Sequence, residues 1–470
     1  MKNQIFREYD IRGIVGKEID IEETYNLSKA IITYYKQKNP QTQTIIVGRD
    51  GRNHSLQIQK NTIRAIIDLG LDVIDIGLCT TPAFYFSLHN LPSSTGMIIT
   101  ASHNPGEYNG IKICLDKKSI WGIQIQEIKK IYQSKNFYQS KNVKKGSVKT
   151  YDITSDYIDF LANHFKHLKN LKIDAIIDCG NGTGGTVFPH LIKKMNFKNV
   201  KLIFEEVDGN FPNHEADPTV QENMKYLALE LKNNPEIKLG IGLDGDCDRM
   251  NPMTKKGKLV PGDQLLAVYA QQILKDHPNA AVAFDIKASS SLIELLRSWK
   301  AKDCISPSGH SLIKKTMSQN NAILAGELSC HFFFKDRYFG YDDGIYAALR
   351  LLEIIHQTQK NLEELIKIFP EKQRSKEIRI KCSEENKKEI VEHVKNIFTA
   401  KKNVQTITID GIRAQMDYGW GLARVSNTQP VICLRFESKS KEGLKKIKND
   451  FYDALKPYFE EKFLKEQIEL

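Results

Sequence analysis

The chain has 470 residues, 41% of them hydrophobic, which is enough to bury several cores and implies roughly three or four domains. No apolar stretch approaches the ~20 residues that a membrane helix needs, and no hydrophobic leader follows the polar start Met1-Lys2-Asn3-Gln4, so a cytoplasmic protein without a membrane partner is expected. The net charge of +11 favours anionic partners, but the lysines are scattered over predicted helix faces without base-stacking aromatic residues, which argues against nucleic acid.

The first domain, expected over residues 1–147, alternates short apolar runs with amphipathic stretches. Residues 44–47 read as a strand, 58–69 as a helix, and 71–76 and 97–99 as strands. The last of these ends on Thr100-Ala101-Ser102-His103-Asn104-Pro105. A serine hydroxyl is a poor nucleophile unless a rigid turn exposes it beside a base or metal, and His103 with Asn104-Pro105 offers such a setting. The near-duplicated hexapeptides at 132–137 and 138–143 lead into Lys144-Lys145-Gly146 and mark the polar end of this domain, not a structural repeat.

A second α/β domain is expected over 148–250. It has a strand at 174–178, a glycine turn, a helix at 187–195 and a buried strand at 239–243. The glycine turn, Gly180-Asn181-Gly182-Thr183-Gly184-Gly185, satisfies the dinucleotide fingerprint, with Glu205, Glu206 and Asp208 following as candidate ribose acids, so a dehydrogenase is a rival reading. Nothing downstream resembles a hydride-transfer site, and tight strand-to-helix turns need glycine for their own sake. The final strand runs into Asp244-Gly245-Asp246-Cys247-Asp248-Arg249. Carboxylates at i, i+2 and i+4 suit a hard cation with coordination positions left open for a phosphate. A calcium-binding EF-hand loop is excluded, because Arg249 and Lys255 stand where it needs glycine and glutamate.

A third domain, 251–367, is expected to carry strands at 281–284 and 322–324 and helices at 290–299 and 344–355. The last, 368–470, shifts to an α+β pattern, with strands at 404–409, 422–425 and 431–436 and a lysine-rich helix from 440 to about 455. The eight cysteines are dispersed without a C-x-x-C pair and read as reduced thiols.

With these motifs in place, the chain resembles the α-D-phosphohexomutases, closest to the bacterial phosphomannomutase/phosphoglucomutase type. The Ser102 loop is similar to that family's phosphoserine loop and the Asp244–Asp248 run to its metal loop. Residues 326–331, Gly-Glu-Leu-Ser-Cys-His, resemble its sugar-recognition loop, and 424–430, Arg-Val-Ser-Asn-Thr-Gln-Pro, its phosphate-binding loop. The resemblance spans nearly the whole chain. It implies three related three-layer α/β domains and a smaller C-terminal α+β domain around a central cleft. It also implies an isomerase of carbohydrate metabolism that interconverts hexose 1-phosphate and hexose 6-phosphate through a phosphoserine and a hexose 1,6-bisphosphate. Phosphoglucosamine mutases and non-catalytic phosphosugar-binding homologues are the alternatives.

The same resemblance implies the site. Ser102 would carry the phosphoryl group and, with Asp244, Asp246 and Asp248, hold one Mg²⁺ per chain. His103, Lys112, Arg249 and Arg12 would take part in catalysis. Tyr9, Lys287, His310, Glu327, Ser329 and His331 would bind the sugar, and Arg424, Ser426, Asn427 and Thr428 the remote phosphate. A hexose 1,6-bisphosphate would act as activator, and the protein would be a monomer or weak homodimer. Leu328 and Cys330 depart from the commonest form of the sugar loop, which bears on sugar preference and leaves the chemistry intact, and Cys247 and Cys330 read as small residues tolerated in their loops rather than as redox controls.

Overall fold

The computed structural model describes residues 1–139, 144–383, 385–426 and 430–470. They form two compact units, Met1–Ile273 with Ser329–Ile366, and Leu274–Leu328 with Lys367–Leu470.

In the first unit, a mixed sheet runs in the order Ile11–Ile14, Tyr108–Leu115, Gly96–Ile99, Thr44–Arg49, Asp72–Leu78, Val148–Thr150. Its central strands are parallel, while Tyr108–Leu115 runs antiparallel to both of its long neighbours. Residues 45–48 and 96–99 of these strands are apolar and buried, as central strands of a covered sheet are. Helix Ser55–Asp68 buries Ile58, Thr62, Ala65 and Ile66 at helical spacing. It starts three residues before the expected position, since its polar first turn hides the start: the Ser55 hydroxyl donates to Asp50.

A second sheet has the order Met250–Thr254, Leu239–Leu243, Lys172–Asp178, Lys198–Ile203. Leu239–Leu243 is buried throughout and pairs antiparallel with Met250–Thr254, so the acidic run Asp244–Arg249 is the connection of a hairpin. Helices Ile153–His164, Phe188–Met195 and Lys225–Asn233 belong to the same region. Residues 329–366, expected in the third domain, cluster with this unit. Their helix Gly344–Thr358 is capped by the Asp343 side chain, which accepts from Tyr346 N–H.

In the second unit, Lys302–Ser306, Ala281–Asp285 and Leu324–Gly326 are parallel, with helices Ser290–Ser298 and His310–Asn320 alongside. Leu324–Gly326 lies two residues later than expected, because Asn321 ends the preceding helix in the left-handed conformation and Ala322-Ile323 complete the return to the sheet. The C-terminal part is an antiparallel sheet in which Val431–Ser438, Gly419–Val425 and Ile412–Met416 are adjacent. Helices Asn386–Thr399, Lys441–Leu455 and Glu461–Ile468 close its core over Val394, Phe398, Phe436 and Phe451. The four sheets of the described residues, three of them in α/β layers and one α+β, thus match the expected fold class. Among the described residues no helix is long and apolar enough to cross a membrane.

Candidate active site

The buried strand Gly96–Ile99 delivers Ser102 at its carboxyl end, where ligands collect in α/β sheets. Ser102 has φ +50°, a left-handed conformation that a non-glycine residue adopts only when its surroundings hold it there. Its N–H donates to Thr100 Oγ1 at 2.9 Å. Its hydroxyl donates to Asp244 Oδ2 at 2.7 Å and lies 3.2 Å from His103 Nδ1. Burial, and next the positive charges of Arg249 and Arg12, hold His103 well below the usual histidine range. The ring is therefore neutral.

The three aspartates are almost wholly buried and converge on this serine. One carboxylate oxygen from each lies within 4.8 Å of the others. Asp244 Oδ1 accepts from Arg249 N–H at 3.0 Å. Asp246 Oδ2 accepts from Thr81 and Thr100 hydroxyls at 2.7 and 3.2 Å and from Lys112 Nζ at 2.7 Å. Asp248 pairs with Lys112, and its Oδ1 lies 3.2 Å from His331 Nε2. Burial and the neighbouring carboxylates push Asp244 well above the usual carboxylate range. Burial also raises Asp248, but Lys112 and His331 outweigh it and leave that carboxyl well below the range. Burial would lower the Lys112 ammonium, yet Asp246 and Asp248 prevail and hold it above its ordinary value, so Lys112 is a fixed cation.

This cluster fits a hard divalent cation. Its ligand atoms are carboxylate oxygens, and among the described residues the buried Asp246 Oδ1 receives no hydrogen bond. A second triple, Asp248, His331 and Asp342, meets the same distance criterion and shares Asp248 with the first.

Glycines bring the backbones this close. The Thr183 N–H and hydroxyl both donate to Gly245 O, at 2.9 and 3.1 Å, and a Cβ on Gly182 would stand 2.7 Å from that oxygen. A Cβ on Gly185 would meet Glu205 O at 1.7 Å. The glycine run that mimics a dinucleotide fingerprint thus makes room for protein backbone behind the acidic loop.

Arg249 and Arg12 also lie here. Arg249 Nε donates to His331 Nε2 at 3.1 Å, and an isolated antiparallel bridge joins the two residues. Arg12 donates to Asn104 Oδ1 at 2.7 Å and pairs with Asp10. Tyr9 is half-buried in the turn before strand Ile11–Ile14. His331 Nδ1 lies 3.1 Å from Ser329 Oγ.

The second unit gathers the other expected residues. Lys287 Nζ stands 3.4 Å from Asp285 and 3.6 Å from Glu377. Burial would lower this ammonium, but Glu377 and Asp285 hold it above its ordinary value. Burial opposes ionisation of Glu377, yet Lys287 and Arg379 bring its carboxyl down to about 2. Glu327 accepts from Gly309 N–H at 2.7 Å, next to His310, which starts helix His310–Asn320. Arg424 Nε donates to Asp410 at 2.8 Å, and the same Asp410 oxygen accepts from Ser308 N–H at 3.0 Å. The Ser426 carbonyl accepts from Lys387 Nζ at 3.1 Å. Asn427 and Thr428 lie outside the described residues.

Thr81, Thr100, Asp285, Asp410 and Glu377 escaped the sequence reading. Thr100 and Asp285 sit at the carboxyl ends of expected strands, which was a usable signal. Asp410 and Glu377 stand in ordinary loops with none.

Sequence profiles described as phosphoglucomutase/phosphomannomutase alpha/beta/alpha domains I, II and III match residues 3–139, 155–257 and 261–372, and the profile of the C-terminal domain matches 377–454. A phosphomannomutase/phosphoglucomutase of Pseudomonas aeruginosa is 38% identical over 453 residues, 96% of this chain and 95% of that protein. A phosphoglucomutase of Neisseria gonorrhoeae is 37% identical over 448 residues, covering 95% of both proteins. The crystal structure of a phosphoglucomutase/phosphomannomutase family protein from Burkholderia thailandensis is similar with a TM-score of 0.88 at 31% identity, over 97% of this chain and 98% of that one.

Proposed function

The chain belongs to the phosphoglucomutase/phosphomannomutase family and is a phosphohexomutase, and on that premise we propose that Ser102 carries the phosphoryl group it transfers. The observation that carries this reading is the Ser102 hydroxyl, fixed in a left-handed turn and bonded at 2.7 Å to one of three buried aspartates. The substrates are glucose and mannose phosphates, as the names of the relatives suggest.

When phosphorylated Ser102 donates, an oxygen of the sugar hydroxyl bonds to phosphorus and the P–Oγ bond breaks. The proton lost by the sugar hydroxyl is balanced by the one Oγ gains. In the return step Ser102 Oγ attacks the other phosphate of the bisphosphate, and His103, whose Nδ1 lies 3.2 Å from Oγ, is placed to take its proton. Lys112 is less suited to proton traffic, because two carboxylates hold its charge in place, and acts through that charge. Arg249 presents its guanidinium to the phosphoryl oxygens. Mg²⁺ held by Asp244, Asp246, Asp248 and the Ser102 oxygen would supply Lewis-acid polarisation of the phosphoryl group.

Glu327 and Ser329 bind vicinal sugar hydroxyls, with Lys287, His310, His331 and Tyr9 as further contacts. Arg424 and Ser426, with Asn427 and Thr428, take the remote phosphate. Free hexose 1,6-bisphosphate activates by recharging Ser102.

Phosphorus NMR tests this reading with glucose 1-phosphate and mannose 1-phosphate in turn, each with Mg²⁺ and a trace of hexose 1,6-bisphosphate. Conversion to the 6-phosphates that disappears in Ser102→Ala supports it. Conversion that persists in Ser102→Ala refutes the phosphoserine.

A further inference from the structure

Arg52 lies outside every motif considered so far, yet its 2% exposed side chain is spent on the serine loop. Nη1 donates to the carbonyl oxygens of Pro105 and Tyr108, at 2.7 and 3.1 Å, and Nη2 to those of Ser102, at 2.8 Å, and Asn104. Nε forms an ion pair with Asp50 at 3.2 Å, and Asp50 also accepts from Arg52 N–H and the Ser55 hydroxyl. The guanidinium carbon sits 5.0 Å from the centroid of Phe211. One rigid planar cation therefore gathers four carbonyls of the turn that holds Ser102 at φ +50°. A left-handed non-glycine residue costs on the order of 1–3 kcal/mol and persists only where its surroundings over-determine it.

We propose that Arg52 is the positioning residue of phosphoryl transfer: its guanidinium fork fixes the Ser102 turn so that Oγ meets the phosphoryl group in line. A point charge could satisfy Asp50 but not four divergent carbonyls, so lysine is not equivalent here. The proposal rests on Ser102 being the phosphoryl carrier. That is checked separately by the mass of wild-type protein, which gains one phosphoryl group on the Ser102 peptide after exposure to glucose 1,6-bisphosphate.

The test assays Arg52→Lys and Arg52→Ala with glucose 1-phosphate, glucose 1,6-bisphosphate and Mg²⁺, on protein shown by circular dichroism to be folded at the assay temperature. Misplacement by about 1 Å costs ~10²-fold. Both variants are expected to lose kcat on that scale while KM for glucose 1-phosphate stays within about threefold. Guanidinium ion should restore Arg52→Ala at least tenfold and leave Ser102→Ala dead. A folded Arg52→Lys with wild-type kcat overturns the proposal, as does a loss confined to KM, or a guanidinium titration without effect on folded Arg52→Ala. If Arg52→Ala does not fold, Arg52→Lys decides by the same kcat criterion. Failure of Arg52→Lys to fold would make the residue structural and overturn the proposal too.

Discussion

Gly245, between the first two metal-loop aspartates, faces the serine turn backbone to backbone. A Cβ added there would stand 2.7 Å from the carbonyl oxygen of Ser102, whereas ordinary contact begins at 3.4 Å. Gly245 is not among the positive-φ glycines, so Gly245→Ala introduces an overlap without a backbone penalty. The oxygen it strikes belongs to the residue proposed to carry the phosphoryl group. Restoring ordinary contact requires the two loops to part by about 0.7 Å, which would weaken the 2.7 Å bond from Ser102 to Asp244. Overpacking of this kind destabilises by about 1–3 kcal/mol, and misplacement approaching 1 Å lowers turnover by ~10²-fold. Gly245→Ala should therefore lose between about tenfold and a hundredfold in kcat, with a modest fall in melting temperature. Gly182→Ala, which meets Gly245 O from the other side at 2.7 Å, should behave alike. Gly16→Ala is the control: it has nothing within 4 Å and only φ +81° to strain it, so it should lose stability and keep kcat. Steady-state kinetics with circular dichroism melts decide the matter. Gly245→Ala with kcat within twofold of wild type would refute the claim that the two loops are in fixed contact.

Removal of divalent metal by EDTA should abolish turnover, restored by Mg²⁺, while far-ultraviolet circular dichroism is unchanged, because Lys112 already pairs with Asp246 and Asp248. Arg413→Met should destabilise the second unit by about 2–5 kcal/mol in urea denaturation, since it removes the donors to the buried carbonyls of Ile286 and Ala288, at 2.8 and 2.7 Å, and uncovers the Trp420 face 3.8 Å away. Those carbonyls flank Lys287, so KM for the hexose phosphate should rise as well. His214 supplies a pH signature. Burial would lower its pKa, but the Asp178 carboxylate at 3.1 Å outweighs this and raises it, so its stabilisation is complete below the unfolded value of 6.5 and is lost as pH rises through the higher folded value. The stability gap between wild type and His214→Gln should be widest at mildly acidic pH and close as the solution becomes alkaline. A gap independent of pH would contradict the ion pair.

What was legible in the sequence follows a physical division. Buried parallel strands advertise themselves as continuous apolar runs, and Ile98-Ile99 or Leu239–Leu243 could be placed without a fold in view. The chemistry at their carboxyl ends was equally visible, because a serine turn and alternating aspartates are unusual enough to carry meaning. The supporting residues were not. Arg52, Asp410 and Arg413 hold backbone groups across gaps of 50, 102 and 127 positions, and nothing local separates them from the many other charged residues of this chain. Arg413 is distant in sequence from Lys287, yet its guanidinium holds the carbonyls of Ile286 and Ala288, the residues before and after it. The glycines tell the same story in reverse. Gly182 and Gly185 suggested a cofactor loop because glycine invites close approach, and close approach is indeed their role, but the approaching group is the carbonyl of another loop. A motif records that space is needed at a position. Only the folded chain says what fills it, and here the filling is the backbone on which the three carboxylates and the serine are mounted.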